Sequence, residues 1–259
     1  MDPIKKFEEV VDKNIHNLGG DKELSKLSFD WMLKTGATGD YTYNFKWFGR
    51  PIIQYPQDLI AMQELVWQIK PDLIIETGIA HGGSLIMNSS YLAMLEHCEA
   101  IEKGEMIDPL KPKRKVLGVD IDIREHNRKA IESHPMSNRI DMIQGSSIDI
   151  NIVKEVRDYA SSFKNILVCL DSNHTHEHVL KELEAYASLT SVGSYCIVYD
   201  TAIESTPEAL CADRPWGPGN SPKTAVWEFL KSHPEFEIDK SIQNKLLVTV
   251  APDGYLKRK

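Results

Sequence analysis

Cysteine is scarce in this 259-residue chain, and long apolar runs are missing. The four cysteines, Cys98, Cys169, Cys196 and Cys211, form no CxxC pair. That is the usage of a reducing compartment rather than a disulfide scaffold. Cys169 and Cys196 fall inside apolar runs, where a thiol behaves as a small hydrophobe. No stretch approaches the roughly 18 apolar residues of a membrane span, and the opening "MDPIKKFEEVVDKN" has no apolar signal region. A soluble cytoplasmic protein with no membrane partner is expected. Positive charge is also in deficit: 30 Lys and Arg against 38 Asp and Glu leave a net charge of −8, which argues against broad binding to nucleic acid. The short basic clusters "KPKRK" and the C-terminal "KRK" read as a solvated loop and tail. Internal repeats and low-complexity segments are absent too.

Hydrophobic residues make up 42% and charged residues 26%, enough for a well-packed core. Residues 1–55 read as an N-terminal arm. "KKFEEVVDKNIHNL" and "DKELSKLSFDWMLKTG" have the pattern of two helices, and "YNFKWFGRPIIQYP" is aromatic and contains proline. Residues 56–259 read as the main domain. It opens with a helix, "PQDLIAMQELVWQIK", whose first turn holds Pro56 and Asp58, both favoured there. Strands then alternate with helices: "DLIIET", "KVLGVDID", "IDMIQGSS", "NILVCLD" and "GSYCIVYD" are each followed by a helical stretch, and "FEIDKSI" and "KLLVTVAPDGYL" close the chain as two strands. The pattern predicts an open α/β sheet, doubly wound and mostly parallel with an antiparallel strand near the C-terminus. Ligands of such sheets bind beyond the carboxyl ends of the strands.

The residues at those ends carry the candidates. "ETGIAHGGS" places Gly78, Gly82 and Gly83 where backbone can approach a ligand, but the spacing is not G-x-G-x-x-G and the dinucleotide fingerprint is not met. Glu76, ahead of the glycines, suits a ligand carrying a cation, unless the segment is an ordinary strand-to-helix turn. Asp120 in "VDIDIR" suits ribose hydroxyls or a helix cap. Gly145 and Ser146 line the same crevice or cap the next helix. Asp171 ends "NILVCLD" and Asp200 ends "GSYCIVYD". On neighbouring strands they face each other across about 5 Å, which calls for a cation or a shared proton. Carboxylate oxygens suit Mg²⁺ or Mn²⁺ better than zinc. "HTHEH" spells the inverted zinc-peptidase motif, but the aspartate before it and the alternating βα pattern do not match that setting. His176 and His178 read as exposed helix residues. His174 reads as a general base beside the metal aspartate or as a polar helix start.

"FGRPIIQYPQDLIAMQELVWQIKPDLIIETGIAHGGSL", "LDSNHTHEHVLKELEAYASL" and "RPWGPGNSPKTAVWEFL" together resemble the cephalosporin hydroxylase family. The chain is also similar to metal-dependent macrolide-sugar O-methyltransferases, which share an Asp-x-x-His element after the fourth strand. The resemblance implies the Rossmann-like class I methyltransferase fold and S-adenosylmethionine (SAM) as cofactor. It implies that Glu76, Gly78, Gly82 and Ser84 hold the methionine part, Asp120 the ribose and Ser146 the adenine side, with Asp171 at the cofactor. It further implies Mg²⁺ on Asp171 and Asp200, and His174 as general base for a hydroxyl of a sugar or glycosylated small molecule. One departure stands out: relatives often carry Glu-Asp after the fifth strand, and here the pair is Tyr199-Asp200. The aromatic arm (Tyr41, Tyr43, Trp47, Phe48) and a Trp216 loop are expected to contact the substrate, and a homo-oligomer is expected. The alternative is a hydroxylase component or a non-catalytic SAM-binding partner protein.

Overall fold

A computed structural model describes residues 2–259. Two helices, α1 (Pro3–Gly20) and α2 (Lys22–Gly39), lead into an antiparallel hairpin of β1 (Phe45–Trp47) and β2 (Arg50–Ile52). Asp2 and Asp21 start the helices by accepting backbone N–H bonds in their first turns. The aromatic residues of the arm hold one another. Trp31 meets Tyr41 edge-on at 5.0 Å, and Tyr41 stacks on Tyr55 at 5.8 Å.

The rest is a single sheet with helices on both faces. In chain order it comprises α3 (Pro56–Ile69), β3 (Leu73–Thr77), α4 (Gly83–Lys103), β4 (Lys115–Asp120), α5 (Glu125–Glu132), β5 (Ile140–Gln144), α6 (Ile150–Ala160), β6 (Ile166–Leu170), α7 (His176–Tyr186), β7 (Tyr195–Val198), α8 (Pro222–Phe229), β8 (Phe236–Ile238), α9 (Lys240–Leu246) and β9 (Tyr255–Arg258). The spatial order is β5-β4-β3-β6-β7-β9-β8. Only β9 runs antiparallel to its neighbours. Strand order reverses between β3 and β6, so the crevice for a ligand opens above that pair.

The two-residue period of the strands assigns each side chain to a face. Ile74, Val116, Leu167, Cys169 and Ile197 pack with α3, α4 and α9. Leu73, Ile75, Leu117, Val168 and Val198 pack with α6, α7 and α8. Leu73, Ile74 and Ile75 are completely buried, and each contributes about 1.5–3 kcal/mol by leaving water. Among the described residues no helix is long and apolar enough to cross a membrane.

The chain's end departs from expectation. "KLLVTVAPDGYL" is not one strand: α9 runs to Leu246, Leu247 ends it with a φ of 60°, and pairing resumes only at Tyr255. Asp239 caps α9 through the Ser241 amide, which also shortens the expected "FEIDKSI" strand to Phe236–Ile238. The stretch between makes no ladder: its Val250 amide and Thr249 hydroxyl go to Asp58 of α3, and its Val250 carbonyl accepts from the Ala202 amide. Asp58 is 2% exposed and accepts from the Val250 amide (3.1 Å) and from the hydroxyls of Thr249 and Tyr255. Burial raises its carboxyl to about 6, against those three hydrogen bonds. Asp58→Ala leaves three donors without an acceptor, at about 1–3 kcal/mol each. Denaturant unfolding is expected to show a loss of at least about 3 kcal/mol; an unchanged midpoint would remove Asp58 as the anchor of this segment.

Candidate active site

A cleft of about 270 Å³ lies above the carboxyl ends of β3, β4, β6 and β7. Its walls come from the hairpin side (Thr42, Tyr43 and Pro51 through Gln54), the turn after β3 (Gly78 through His81), the start of α4, the tips of β4, β6 and β7, and Val250. Gly78, Ser84, Asp120, Asp171, His174 and Asp200 all line it.

The turn after β3 depends on glycine. Gly78 has a φ of 90°, and a Cβ there would lie 2.2 Å from the Asp171 carbonyl oxygen. Gly82 also has a positive φ, 77°, and abuts Ile131; it starts α4 without lining the cleft. Asp120 braces the turn from β4. Its carboxylate accepts from the amides of Ile79 (2.7 Å) and Asp122 (3.0 Å). Arg50 braces it from outside by donating to the His81 carbonyl, and Asn127 donates to the Ala80 carbonyl (2.9 Å).

Glu76 sits below the turn, 4% exposed, where it accepts from the Ser84 hydroxyl and from Asn88 Nδ2 (2.9 Å). Burial pushes its carboxyl up to about 7, against the two hydrogen bonds. Ser146 lies past β5, its carbonyl bonded to the Asp149 amide, and does not line the cleft.

At the tips of β6 and β7, Asp171, His174 and Asp200 each offer one ligand atom, all within 4.8 Å of one another. His174 Nε2 is 3.3 Å from Asp200 Oδ2. Burial first, then Asp200, holds the Asp171 carboxyl well above its ordinary range. Two oxygens and one imidazole nitrogen converging on one point fit a divalent cation. Tyr199 does not enter this cluster. It is buried, 8% exposed, and faces a recess below the cleft. The third donor beside the two aspartates is therefore the imidazole.

Trp216 meets the His174 ring edge-on at 4.8 Å, and the Arg214 guanidinium lies 5.5 Å from the Trp216 ring. Glu204 ties down the far end of this loop by accepting from the Gly219 amide (2.9 Å) and the Ser221 hydroxyl (2.7 Å).

The other two histidines are not the exposed residues expected. His176 Nδ1 is 2.8 Å from the Thr224 hydroxyl, and His178 Nε2 is 3.1 Å from the hydroxyls of both Ser147 and Ser172. They join α7 to its neighbours and stand apart from the carboxylate pair. Gln54 and Asn88 were missed altogether. Gln54 lies in the "QYPQD" stretch, and Asn88 sits one helical turn after Ser84. Nothing local marks either as facing Glu76.

A sequence model of the family described as Rhamnosyl O-methyltransferase/CmcI matches residues 39–259. Rhamnosyl O-methyltransferase of Mycobacterium tuberculosis is 28% identical over 206 residues, 78% of this chain and 73% of that protein. The protein of the same name from Mycobacterium leprae is 25% identical over 224 residues, 85% of this chain and 86% of its own. Among solved structures, CmcI with Mg and SAM superposes with a TM-score of 0.56 at 17% identity, covering 88% of this chain and 84% of the other. The apo form of a TDP-rhamnose 3′-O-methyltransferase of calicheamicin biosynthesis gives 0.50 at 14% identity, with coverages of 90% and 88%. At these identities the two superpositions establish the class I methyltransferase fold.

Proposed function

The chain belongs to the Rhamnosyl O-methyltransferase/CmcI family, and from that membership we propose that this SAM-dependent O-methyltransferase methylates a hydroxyl of a rhamnosyl or related sugar residue, aided by a divalent cation such as Mg²⁺. The observation that carries the reading is the convergence of Asp171, His174 and Asp200 in the cleft that the glycine-rich turn and Asp120 also line.

Glu76, Gly78, Gly82 and Ser84 form and support the methionine end of the cofactor site, and Asp120 takes the ribose. The fixed amide bonds of Asp120 leave carboxylate lone pairs for hydroxyl groups. SAM, when bound, supplies a methyl group made electrophilic by its sulfonium charge. A divalent ion, when held by Asp171 and Asp200, lowers the pKa of a hydroxyl beside it. His174 then takes the hydroxyl proton at a ring nitrogen, and Asp200, 3.3 Å away, stabilises the imidazolium that results. The edge of Trp216 fixes the imidazole ring, and much of the rate comes from holding the reactants in line.

Labelled SAM incubated with rhamnosyl glycosides and nucleotide-activated rhamnose is expected to transfer its methyl group to at least one of them. Chelation should abolish that transfer. Failure to bind SAM at all would overturn the reading. Transfer that survives chelation would remove the cation from it.

Glu76 gives a pH signature. Below about pH 7 its carboxyl is protonated and offers no counter-charge to a cationic ligand; above that it is ionised. Below that pH, binding of SAM releases a proton, so affinity is expected to rise as the pH approaches about 7, by at most about tenfold per unit, and to level off above it. Calorimetry in buffers of different ionisation enthalpy reads the proton directly. Glu76→Gln is expected to flatten the profile; an unaltered slope would remove Glu76 from the site.

A further inference from the structure

Of the histidines in "HTHEH", the site described above uses only His174. His178 begins a polar stripe along α7. Glu182 and Tyr186 follow it at intervals of four, so all three share one face of the helix. That face is turned inwards: Glu182 and Tyr186 are completely buried.

The stripe meets two loops. The Tyr186 hydroxyl donates to the Ser147 carbonyl in the loop after β5. Glu182 Oε1 accepts from the Ser172 hydroxyl (2.7 Å) in the loop after β6. His178 Nε2 lies 3.1 Å from the hydroxyls of both Ser147 and Ser172, which are 3.3 Å apart. A hydroxyl carries one proton, and Ser172 commits its own to Glu182. Ser147 and His178 therefore meet Ser172 as donors, which places a proton on Nε2. The bonds end on a carboxylate whose other oxygen, Oε2, is buried without a partner, at a cost of about 1–3 kcal/mol. An apolar side chain of the same size would pack at 182 without that cost, so stability alone does not account for the carboxylate.

In the sheet, β4 and β3 stand between β5 and β6, so no ladder bond joins the two loops; α7 ties them. At the β6 end, Ser172 lies between Asp171 and His174 and itself lines the cleft. The Asp171 amide is fixed on the Thr77 carbonyl of β3 (2.9 Å), and Asn173 turns the chain by accepting from the Thr175 amide (2.9 Å). Between those two points the loop is tethered sideways, by Ser172 on Glu182.

We infer that Glu182 and His178 are positioning residues: through Ser172 they hold the loop after β6 where Asp171 and His174 converge with Asp200. The inference rests on the reading of that convergence as the cation and base site.

The test uses Glu182→Met, close in size but without an acceptor. Calorimetry is expected to show Mg²⁺ affinity weakened about tenfold or more. Methyl transfer is expected to show kcat lowered by about 10–10²-fold, with KM for SAM within about twofold. Both are measured well below the Tm of each variant. Glu182→Gln keeps an acceptor for Ser172 and should recover most of each loss. Ser172→Ala should lose about as much as Glu182→Met, and the double variant no more than either, because the two substitutions break one connection. Should Glu182→Met fail to fold, Ser172→Ala with Glu182→Gln carries the same comparison. A fall in Tm with Mg²⁺ affinity and kcat unchanged, or losses that multiply in the double variant, would overturn the inference while the methyltransferase reading stands. Failure of the unaltered protein to bind Mg²⁺ would take down the reading of the convergent cluster, and the inference with it.

Discussion

Replacing His174 with alanine is expected to reduce methyl transfer by about 10²–10⁴-fold, the usual worth of a general base, while SAM affinity stays within about twofold. The imidazole lies beside Asp200 and Trp216, on the loop after β6 rather than on the turn after β3. The same variant separates two roles that the geometry brings together. His174 supplies one of the three convergent donor atoms, which admits a second reading in which it ligates the cation in place of the carboxylate that Tyr199 lacks. A base leaves Mg²⁺ affinity in the variant unchanged; a ligand loses it. Calorimetric titration of Mg²⁺ into the variant decides between them, and turnover that survives the substitution would remove its role as base.

Gly78→Ala is the second change with a large expected effect, and its cause is backbone rather than chemistry. A φ of 90° disfavours any side chain, and the added methyl carbon would sit 2.2 Å from the carbonyl oxygen of Asp171. Strain of this kind costs about 2–4 kcal/mol, which lowers Tm by about 4–16 °C in a chain of this size. Relief requires the β3 turn and the tip of β6 to part, and those are the segments that bring Gly78 through His81 and Asp171 to the cleft. Cofactor binding should therefore fall together with Tm. A variant that keeps both would show that the two segments have room to spare.

The parts legible in the sequence are those set by local pattern. β3, β4, β6 and β7 are buried on both faces, so each reads as a short β-branched run ended by its first polar residue. For that reason Asp120, Asp171 and Asp200 were identifiable as strand-end acids. What stayed hidden depends on distant partners. The stretch at Thr249 and Val250 has the composition of a strand, but its hydrogen bonds go to Asp58, about 190 positions earlier. Tyr199 occupies a position where a carboxylate was looked for, yet its ring points into the interior. His178 carries no sign in its neighbours that Ser147 and Ser172 will meet it, Asn88 reaches Glu76 only through the packing of α4 on β3, and Gln54 joins the same recess only when the chain past the hairpin docks there.

That docking has a consequence for anyone exchanging parts between relatives. The Pro51 carbonyl oxygen lies 2.1 Å from where a Gly83 side chain would begin, and Arg50 of the same hairpin grips the His81 carbonyl. The two segments are some thirty positions apart in the chain yet fit as one moulded pair. A chimera that swaps the hairpin must carry the 78–84 turn with it, or the wall of the cleft will be remade by accident.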